Sequence, residues 1–472
     1  MPRILMAASE AVPFAKTGGL ADVIGALPAA LKARGEEVAV VIPRYRSVRL
    51  DGARRVFDGL QFWLGARGYS AGIYRSDYRG VPFFLVDAPM LFDREGLYGG
   101  GERDYPDNHI RFSVFAHAVL AVARHLFRPH IFHCHDWQAG LVPVLLKHRL
   151  WGDPNFLAAK TLFTIHNLGY QGLFPPAALL EAGLDDLPFQ AGAMEFHGQV
   201  SFLKGALETS NALSTVSRRY AEEIQTPEFG FGLDGLLRLR ADVLTGIMNG
   251  VDYDTWNPET DPHLAANYSA DQLEGKRVNK RHLLERFRLP ERAMEKPLAG
   301  IVSRFVSQKG FDLIADVAGA LLKEDLYLVA LGTGEAQYEK LFLDLAAAWP
   351  DRVGVHLGYD DPLAHKIEAG SDIFLMPSRY EPCGLNQFYS LRYGAIPVVR
   401  ATGGLDDSVD DETGFKFYEY TGQALLEAVR RAVAAYADKP LWERMMRTGM
   451  SRDFSWSRSA AQYSELYRRM TG

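Results

Sequence analysis

Apolar segments of strand length recur along this 472-residue chain, each followed by a loop and then by helical spacing, and this alternation restricts the possible fold more than any other feature. Ile4 to Ala8 leads into a loop from Ser9 to Gly19, after which Leu20, Val23, Ile24, Leu27 and Leu31 fall at helical intervals. Gly35 stops that helix, and Val38 to Ile42 reads as a buried strand. The unit returns with Ile131 to Cys134 before a helix from about Gln138, with Leu162 to Ile165 before a glycine-rich loop, and with Ala212 to Val216 before Ser217. Strands joined through helices run parallel and bury both faces, so the pattern predicts an α/β sheet wrapped by helices.

A second series begins at Leu298 to Val302 and continues with Leu326 to Leu331, Val353 to Leu357, Ile373 to Met376 and Ile396 to Val399. It predicts a second doubly wound sheet. Between the two series the Asn249-Gly250 pair marks a turn, which puts the boundary close to residue 246. A chain of 472 residues exceeds one ordinary core, and two domains of roughly 200 to 240 residues are the natural division. Ligands of such sheets bind beyond the carboxyl ends of the strands. Two sheets facing one another would place the site in the cleft between them.

With 58 acidic against 52 basic residues the net charge is -6, which offers no electrostatic reason for a nucleic-acid or anionic-membrane partner. Ser9 and Glu10 cut the amino-terminal apolar run before it reaches signal-peptide length. His117, Arg124 and His125 interrupt the most apolar longer window, Phe112 to Phe127, which falls short of the roughly 18 residues a membrane helix needs. Cys134 and Cys383 read as reduced thiols. A soluble, cytoplasmic protein is expected.

The residues with chemical potential lie at the predicted strand ends. Lys16-Thr17-Gly18-Gly19-Leu20 sits between the first strand and first helix, where glycines permit close backbone approach and a helix start favours an anion. A tight turn with a solvated lysine has the same pattern, and Asp22 reads equally as a first-turn acid that complements the helix dipole. Arg304 and Lys309 flank the loop after Leu298 to Val302, where a forked guanidinium and an ammonium can neutralise a diphosphate without a metal; a solvated loop is the bland alternative. Tyr380 to Asn386 follows the strand Ile373 to Met376, with Gly384 leading into a helix. Its amides can dock a phosphate while Glu381 accepts from sugar hydroxyls, or Glu381 simply caps the helix. Cys383 has no base beside it and reads as a packed residue. His133-Cys134-His135-Asp136-Trp137 invites a metal reading but lacks the paired spacing of closed zinc sites, so no metal is expected. His166-Asn167 ends another strand, where structural histidines and ligand contacts both occur.

Lys16 to Leu20, His133 to Trp137, Thr164 to Asn167, Lys204-Gly205, Thr215 to Ser217, Asn249 to Asp252, Arg304 to Gly310 and Glu381 to Leu385, in this order, closely resemble the glycogen and starch synthase family of retaining glycosyltransferases. The resemblance spans almost the whole chain. It implies the GT-B fold, two Rossmann-like doubly wound domains facing across a deep cleft. The division it implies is an acceptor-side domain over 1–245, a nucleotide-sugar-binding domain over 246–455, and a helix over 456–472 that crosses back to the first.

The implied activity is transfer of glucose from a nucleotide sugar, ADP-glucose, to the end of an α-1,4-glucan, with no metal or prosthetic cofactor. In this family Lys16, Gly18 and Gly19 are expected to contact the donor, with Asp22 shaping the same loop. Arg304 and Lys309 would grip the diphosphate, His166 would meet the transferred glucose near its 6-hydroxyl, and Glu381 its 3- and 4-hydroxyl edge. The amides of Cys383, Gly384 and Leu385 would bind the sugar and distal phosphate, Tyr359 would stack on the adenine, and Asn249 would help hold the sugar. Tyr98 and Asp136 would lie on the acceptor side.

One departure is Asn386, where the family often has threonine; an amide can still hydrogen-bond a phosphate. Tyr389 stands eight residues after Glu381, where many other retaining GT-B enzymes carry a ribose-binding glutamate. No carboxylate in these motifs is placed for a covalent intermediate, so the expected route is front-face displacement, with the departing phosphate helping to deprotonate the attacking hydroxyl. The cleft must then close to exclude water. Rival readings are a UDP-glucose-dependent synthase, a phosphorylase-like protein with lysine-bound pyridoxal phosphate, and a catalytically silent glucan-binding protein. The last predicts loss of Lys16, Arg304, Lys309 or Glu381, and all four are present.

Overall fold

The computed structural model describes residues 2–100, 103–185 and 193–472. The chain divides into two compact units, one of residues 1–216, 221–250 and 456–472, the other of residues 217–220 and 251–455. The passage between them falls at Gly250 and Val251, a few residues beyond the position read from the Asn-Gly turn.

Among the described residues the first unit carries a nine-stranded sheet. Its strands are β1 (Arg3–Ala7), β2 (Glu37–Pro43), β3 (Arg54–Leu64), β4 (Arg67–Tyr78), β5 (Val81–Asp87), β6 (Ile131–His135), β7 (Lys160–Ile165), β8 (Ala212–Thr215) and β9 (Leu244–Gly246). They lie in the order β9-β8-β7-β6-β1-β2-β5-β4-β3. The segment from β9 to β5 is parallel. It contains every strand expected from the apolar runs, because only strands covered on both faces are apolar throughout. The antiparallel ribbon β3-β4 extends the sheet past β5. Its arginines and aspartates leave much of both strands exposed, so no apolar run announces it.

Helix α1 (Gly19–Ala33) packs its Leu20, Val23, Ile24, Leu27 and Leu31 inward, and Gly35 after it takes the left-handed conformation that ends the helix (φ 98°). Helix α2 (Asn108–His125) is buried along most of its length.

The second unit holds β10 (Leu298–Phe305), β11 (Tyr327–Gly334), β12 (Val353–Leu357), β13 (Ile373–Met376), β14 (Ile396–Arg400) and β15 (Phe415–Phe417). They form an all-parallel sheet in the order β12-β11-β10-β13-β14-β15. The order reverses at β10, the kind of switch point where doubly wound sheets bind ligands. One face packs Phe305, Phe311, Phe342 and Leu425; the other packs Leu283, Val329, Ile367 and Phe374. Helices α3 (Phe311–Leu321), α4 (Asp361–Gly370) and α5 (Asn386–Arg392) connect the strands.

The chain returns to the first unit as α6 (Trp456–Thr471). There the Tyr467 hydroxyl bonds His133 Nδ1 at 2.8 Å, and Ser459 Oγ donates to the Met248 carbonyl at 2.6 Å. No helix among the described residues is long and apolar enough to cross a membrane.

Candidate active site

Parallel pairing brings the expected residues of each unit to one edge of its sheet. In the first unit Ala7 pairs with Cys134, His135 with Thr164, Ile165 with Thr215, and Thr215 with Gly246. The residues that leave those strands are Ser9 and Glu10, Asp136, His166 and Asn249. All therefore emerge at the carboxyl edge.

Glu10 organises this edge, a role that no motif in the sequence announces. Its side chain, 4% exposed, accepts from the Thr17 amide at 2.5 Å, the Thr17 hydroxyl at 2.6 Å, the Gly18 amide at 3.1 Å and the Tyr98 hydroxyl at 2.5 Å. The Tyr98 hydroxyl also meets Ser9 Oγ at 2.7 Å. A buried carboxylate gathering amides of this kind fixes the loop backbone. Lys16 is thereby held at the start of α1, where its ammonium donates to Asp22 at 2.8 Å. Gly18, at the cap of that helix, has open space where a Cβ would stand, and no side chain caps the first turn. The start of α1 therefore carries Lys16 beside Asp22, and its first turn has no side-chain cap, an arrangement in which the helix amides can receive an anion.

Asp136 follows β6 with φ 55°, an unusual conformation for a non-glycine residue, and its Oδ1 accepts from the His166 amide at 2.8 Å. Burial raises its carboxyl to about 7, aided by the charge of Glu10 and opposed by the amides of His166 and Asn167. His166 Nε2 bonds His135 Nδ1 at 2.9 Å, and burial lowers its pKa to about 3, so the ring is neutral and oriented. His133 and His135 are also pushed well below the ordinary value by burial. Both nitrogens of His133 are engaged, one by Tyr467 and the other by Thr164 Oγ1 at 2.6 Å, which gives it a structural role. Asn249 is buried, and its Oδ1 has no hydrogen-bond partner among the described residues. An orphaned carbonyl there is ready for a ligand donor.

In the second unit, Arg304 lies at the carboxyl end of β10, Tyr359 and Glu381 follow β12 and β13, and all three share the carboxyl edge. Arg304 is exposed, and no partner is found for its side chain among the described residues. Lys309 Nζ donates to Glu381 Oε2 at 2.6 Å, and Ser378 Oγ donates to the same oxygen at 2.9 Å. Gly310 sits at φ 73°, where an added Cβ would lie 1.9 Å from the Pro377 carbonyl, so the two loops touch backbone to backbone. On the far side, Cβ atoms at Gly403 and Gly404 would lie 2.0 Å from the carbonyls of Glu381 and Cys383. Ser217 Oγ donates to the Pro382 carbonyl at 2.6 Å. The loop Tyr380 to Asn386 is thus clamped from three directions, and the Gly403-Gly404 clamp was not read from the sequence.

Asn386 opens α5, and its Nδ2 donates to the Val302 carbonyl at 2.5 Å, tying the helix to β10. That uses one of the two N–H donors of the amide, and the second can still donate to a phosphate. Cys383 is buried, in keeping with a packed thiol. Tyr359 is 79% exposed, and its hydroxyl donates to Asp361 at 3.2 Å. An aromatic side chain exposed at a strand end can contribute to stacking.

Two parallel doubly wound units with cationic and carboxylate groups on their strand-end loops define a GT-B glycosyltransferase. Residues 3–239 match the family model described as starch synthase catalytic domain, and residues 285–449 match glycosyl transferases group 1. A glycogen synthase of Koribacter versatilis is 51% identical, covering 98% of this chain and 97% of its own. Others from Anaeromyxobacter dehalogenans and Geotalea daltonii are 50% and 47% identical at similar coverage. The catalytic domain of starch synthase IV from Arabidopsis thaliana, solved with ADP and acarbose, matches with a TM-score of 0.91 and 34% identity, covering 100% of this chain and 99% of that one. A sucrose-phosphate synthase from Thermosynechococcus elongatus, 18% identical with a TM-score of 0.63, shares the fold. The chain belongs to the glycogen and starch synthase family of retaining glycosyltransferases, enzymes of glycogen biosynthesis in bacteria.

Proposed function

We propose that this enzyme transfers glucose with retention from ADP-glucose to the non-reducing 4-hydroxyl end of an α-1,4-glucan and releases ADP. The observation that carries the reading is the pairing of Lys309 with Glu381 at the switch point of the second sheet, where Arg304 ends the strand that leads to Lys309. In this reading two cations meet the charge that develops on a diphosphate leaving group, next to a carboxylate that can accept from sugar hydroxyls. The ADP and acarbose bound to the Arabidopsis enzyme support a nucleotide and a glucan as ligands of this one.

In this reading Arg304 and Lys309 stabilise the departing phosphate, which takes the proton of the attacking hydroxyl as the new glycosidic bond forms on the same face. Glu381, positioned by Ser378, orients the glucose. Lys16 and the amides around Gly18 and Gly19 serve the donor, as do the amides of Cys383, Gly384 and Leu385. Neutral His166 donates or accepts one hydrogen bond at the sugar without adding charge. Asn249 offers its carbonyl to a sugar hydroxyl, Tyr359 stacks on the base, and Asp136 and Tyr98 serve the acceptor. The charge work is done by side chains, so the reaction requires no metal or prosthetic cofactor, and its place is the cytoplasm, with neither nucleic acid nor membrane as partner.

Incubation of the purified protein with maltooligosaccharides and either ADP-glucose or UDP-glucose tests the reading, through nucleotide release and chain growth. ADP release with elongation in excess EDTA is expected. Faster turnover with UDP-glucose, or strict dependence on a divalent ion, would reject the donor assignment or the metal-free scheme respectively.

A further inference from the structure

Asp361 and His365 stand four residues apart on α4 and so share one face of the helix. His365 Nε2 lies 3.9 Å from Asp361 Oδ2, too far for a hydrogen bond. His263 approaches from another segment, and one ligand atom from each of the three residues lies within 4.8 Å of the others.

The buried ring of His365 is also prepared in a specific way. Its Nδ1 faces Asp261 Oδ2 at 2.6 Å, and an ionised carboxylate only accepts, so Nδ1 carries the proton and the lone pair falls on Nε2. Asp261 is itself fixed by the Tyr393 hydroxyl at 2.6 Å and the His263 amide at 2.9 Å. Trp256 stacks on the imidazole at 3.8 Å with planes 5° apart, which holds the ring in place. A carboxylate that orients a histidine whose other nitrogen points at further ligands is the arrangement that metal-binding histidines use.

We propose that His263, Asp361 and His365 form a binding site for a divalent ion of the Zn²⁺ class, with Asp261 orienting His365. Two imidazoles and one carboxylate suit such an ion, whose ligands lie about 2.0 to 2.2 Å from it. Two ligand atoms on one ion are then at most about 4.4 Å apart, a condition that the Asp361 and His365 pair already meets. His263 is half-buried, and its ligation would require a small movement of its side chain to close the wider gap. The ion takes no part in glucosyl transfer. Asp361 uses Oδ1 to accept from Tyr359 while Oδ2 faces the site, so a bound ion would steady that tyrosine. This last coupling rests on the reading of Tyr359 as the base-stacking residue, whereas ion binding does not.

Titration calorimetry with Zn²⁺ on the full-length protein tests the site, run beside the His263→Ala and Asp361→Asn variants. One Zn²⁺ per chain is expected, with affinity lowered at least about tenfold in either variant, as loss of one ligand requires. Zn²⁺ should also raise the thermal midpoint of the wild type more than that of either variant. Both side chains are at least partly exposed, so the variants keep their fold, and matched circular dichroism spectra check this. Absence of Zn²⁺ uptake, or uptake unchanged in both variants, would overturn the proposal. A changed donor KM on Zn²⁺ loading would support the Tyr359 coupling; an unchanged KM with intact Zn²⁺ binding would overturn that coupling alone.

Discussion

Lys309 Nζ donates to Glu381 Oε2 across 2.6 Å, joining the loop after β10 to the loop after β13. The side chains are 19% and 7% exposed, so each charge is largely removed from water and depends on the other. Arg304 differs, because it stands exposed at the end of β10. The two cations are therefore separable by experiment even though the proposed chemistry uses both.

Lys309→Ala and Arg304→Ala should each lower turnover at saturating donor by about 10²- to 10³-fold, the usual consequence of deleting a preorganised charge contact. Only Lys309→Ala should also destabilise the fold, by about 1–3 kcal/mol, because it strands Glu381. Steady-state kinetics and urea unfolding of both variants check the pair of outcomes. Near wild-type turnover in either would remove that residue from the proposed machinery.

Glu10→Gln should loosen the loop from Thr17 to Gly19. The amide nitrogen of glutamine would face donors that now meet a carboxylate oxygen, leaving at least one amide or hydroxyl hydrogen without an acceptor. A cost of about 1–3 kcal/mol is expected, with donor KM raised more than turnover is lowered. Faster hydrogen exchange at Thr17 and Gly18 would locate the effect. Protection unchanged at those amides would mean that Glu10 does not hold the loop.

Acidification should destabilise the first unit. His166 titrates near 6.5 when unfolded but near 3 when folded, so below about 6.5 the unfolded chain binds a proton that the folded one refuses. Its contribution is complete above that value and is lost as pH falls through the window, at up to about 1.4 kcal/mol per unit. His133 and His135 act in the same sense. Asp136 opposes them: folded, it keeps a proton up to about 7, so its contribution is present at low pH and lost as pH rises from about 4 to 7. Urea midpoints between about pH 7 and 5 should thus fall less steeply for His166→Asn than for wild type, and more steeply for Asp136→Asn. Parallel slopes for all three proteins would contradict these assignments.

What the sequence disclosed follows the physics of burial. The parallel strands, covered on both faces, read as apolar runs, whereas the β3-β4 ribbon exposes Arg54, Arg55 and Asp58 and so resembles a loop. The segments that carry Lys16, Arg304, Lys309 and Glu381 were legible because they follow those apolar runs. Glu10 was not, since an isolated acid after a strand has no pattern, and its four donors come from positions up to 88 residues away. The Gly403-Gly404 contact was hidden for a similar reason: only the tertiary approach to Glu381 and Cys383 shows why a side chain is excluded. The tie from Asn386 to Val302 reassigns a donor that the residue type alone had left open.

Glycine substitutions separate loop geometry from loop chemistry. At Gly310, φ 73° combines with a Cβ position 1.9 Å from the Pro377 carbonyl, so Gly310→Ala must push the loop bearing Lys309 away from the strand that leads to Glu381. No charged group is removed, yet the 2.6 Å contact between Lys309 and Glu381 cannot survive such a shift. Turnover should fall at least about tenfold, since small misplacements of catalytic groups have large effects, and stability should fall by about 1–3 kcal/mol. Gly319, in the interior of α3, has nothing within 4 Å of its added Cβ. Gly319→Ala should accordingly leave turnover unchanged and stabilise the helix by up to about 1 kcal/mol. Kinetics and thermal midpoints of the two variants, measured together, test whether the distance across the Lys309 and Glu381 loops limits catalysis. Full activity in Gly310→Ala would show that it does not.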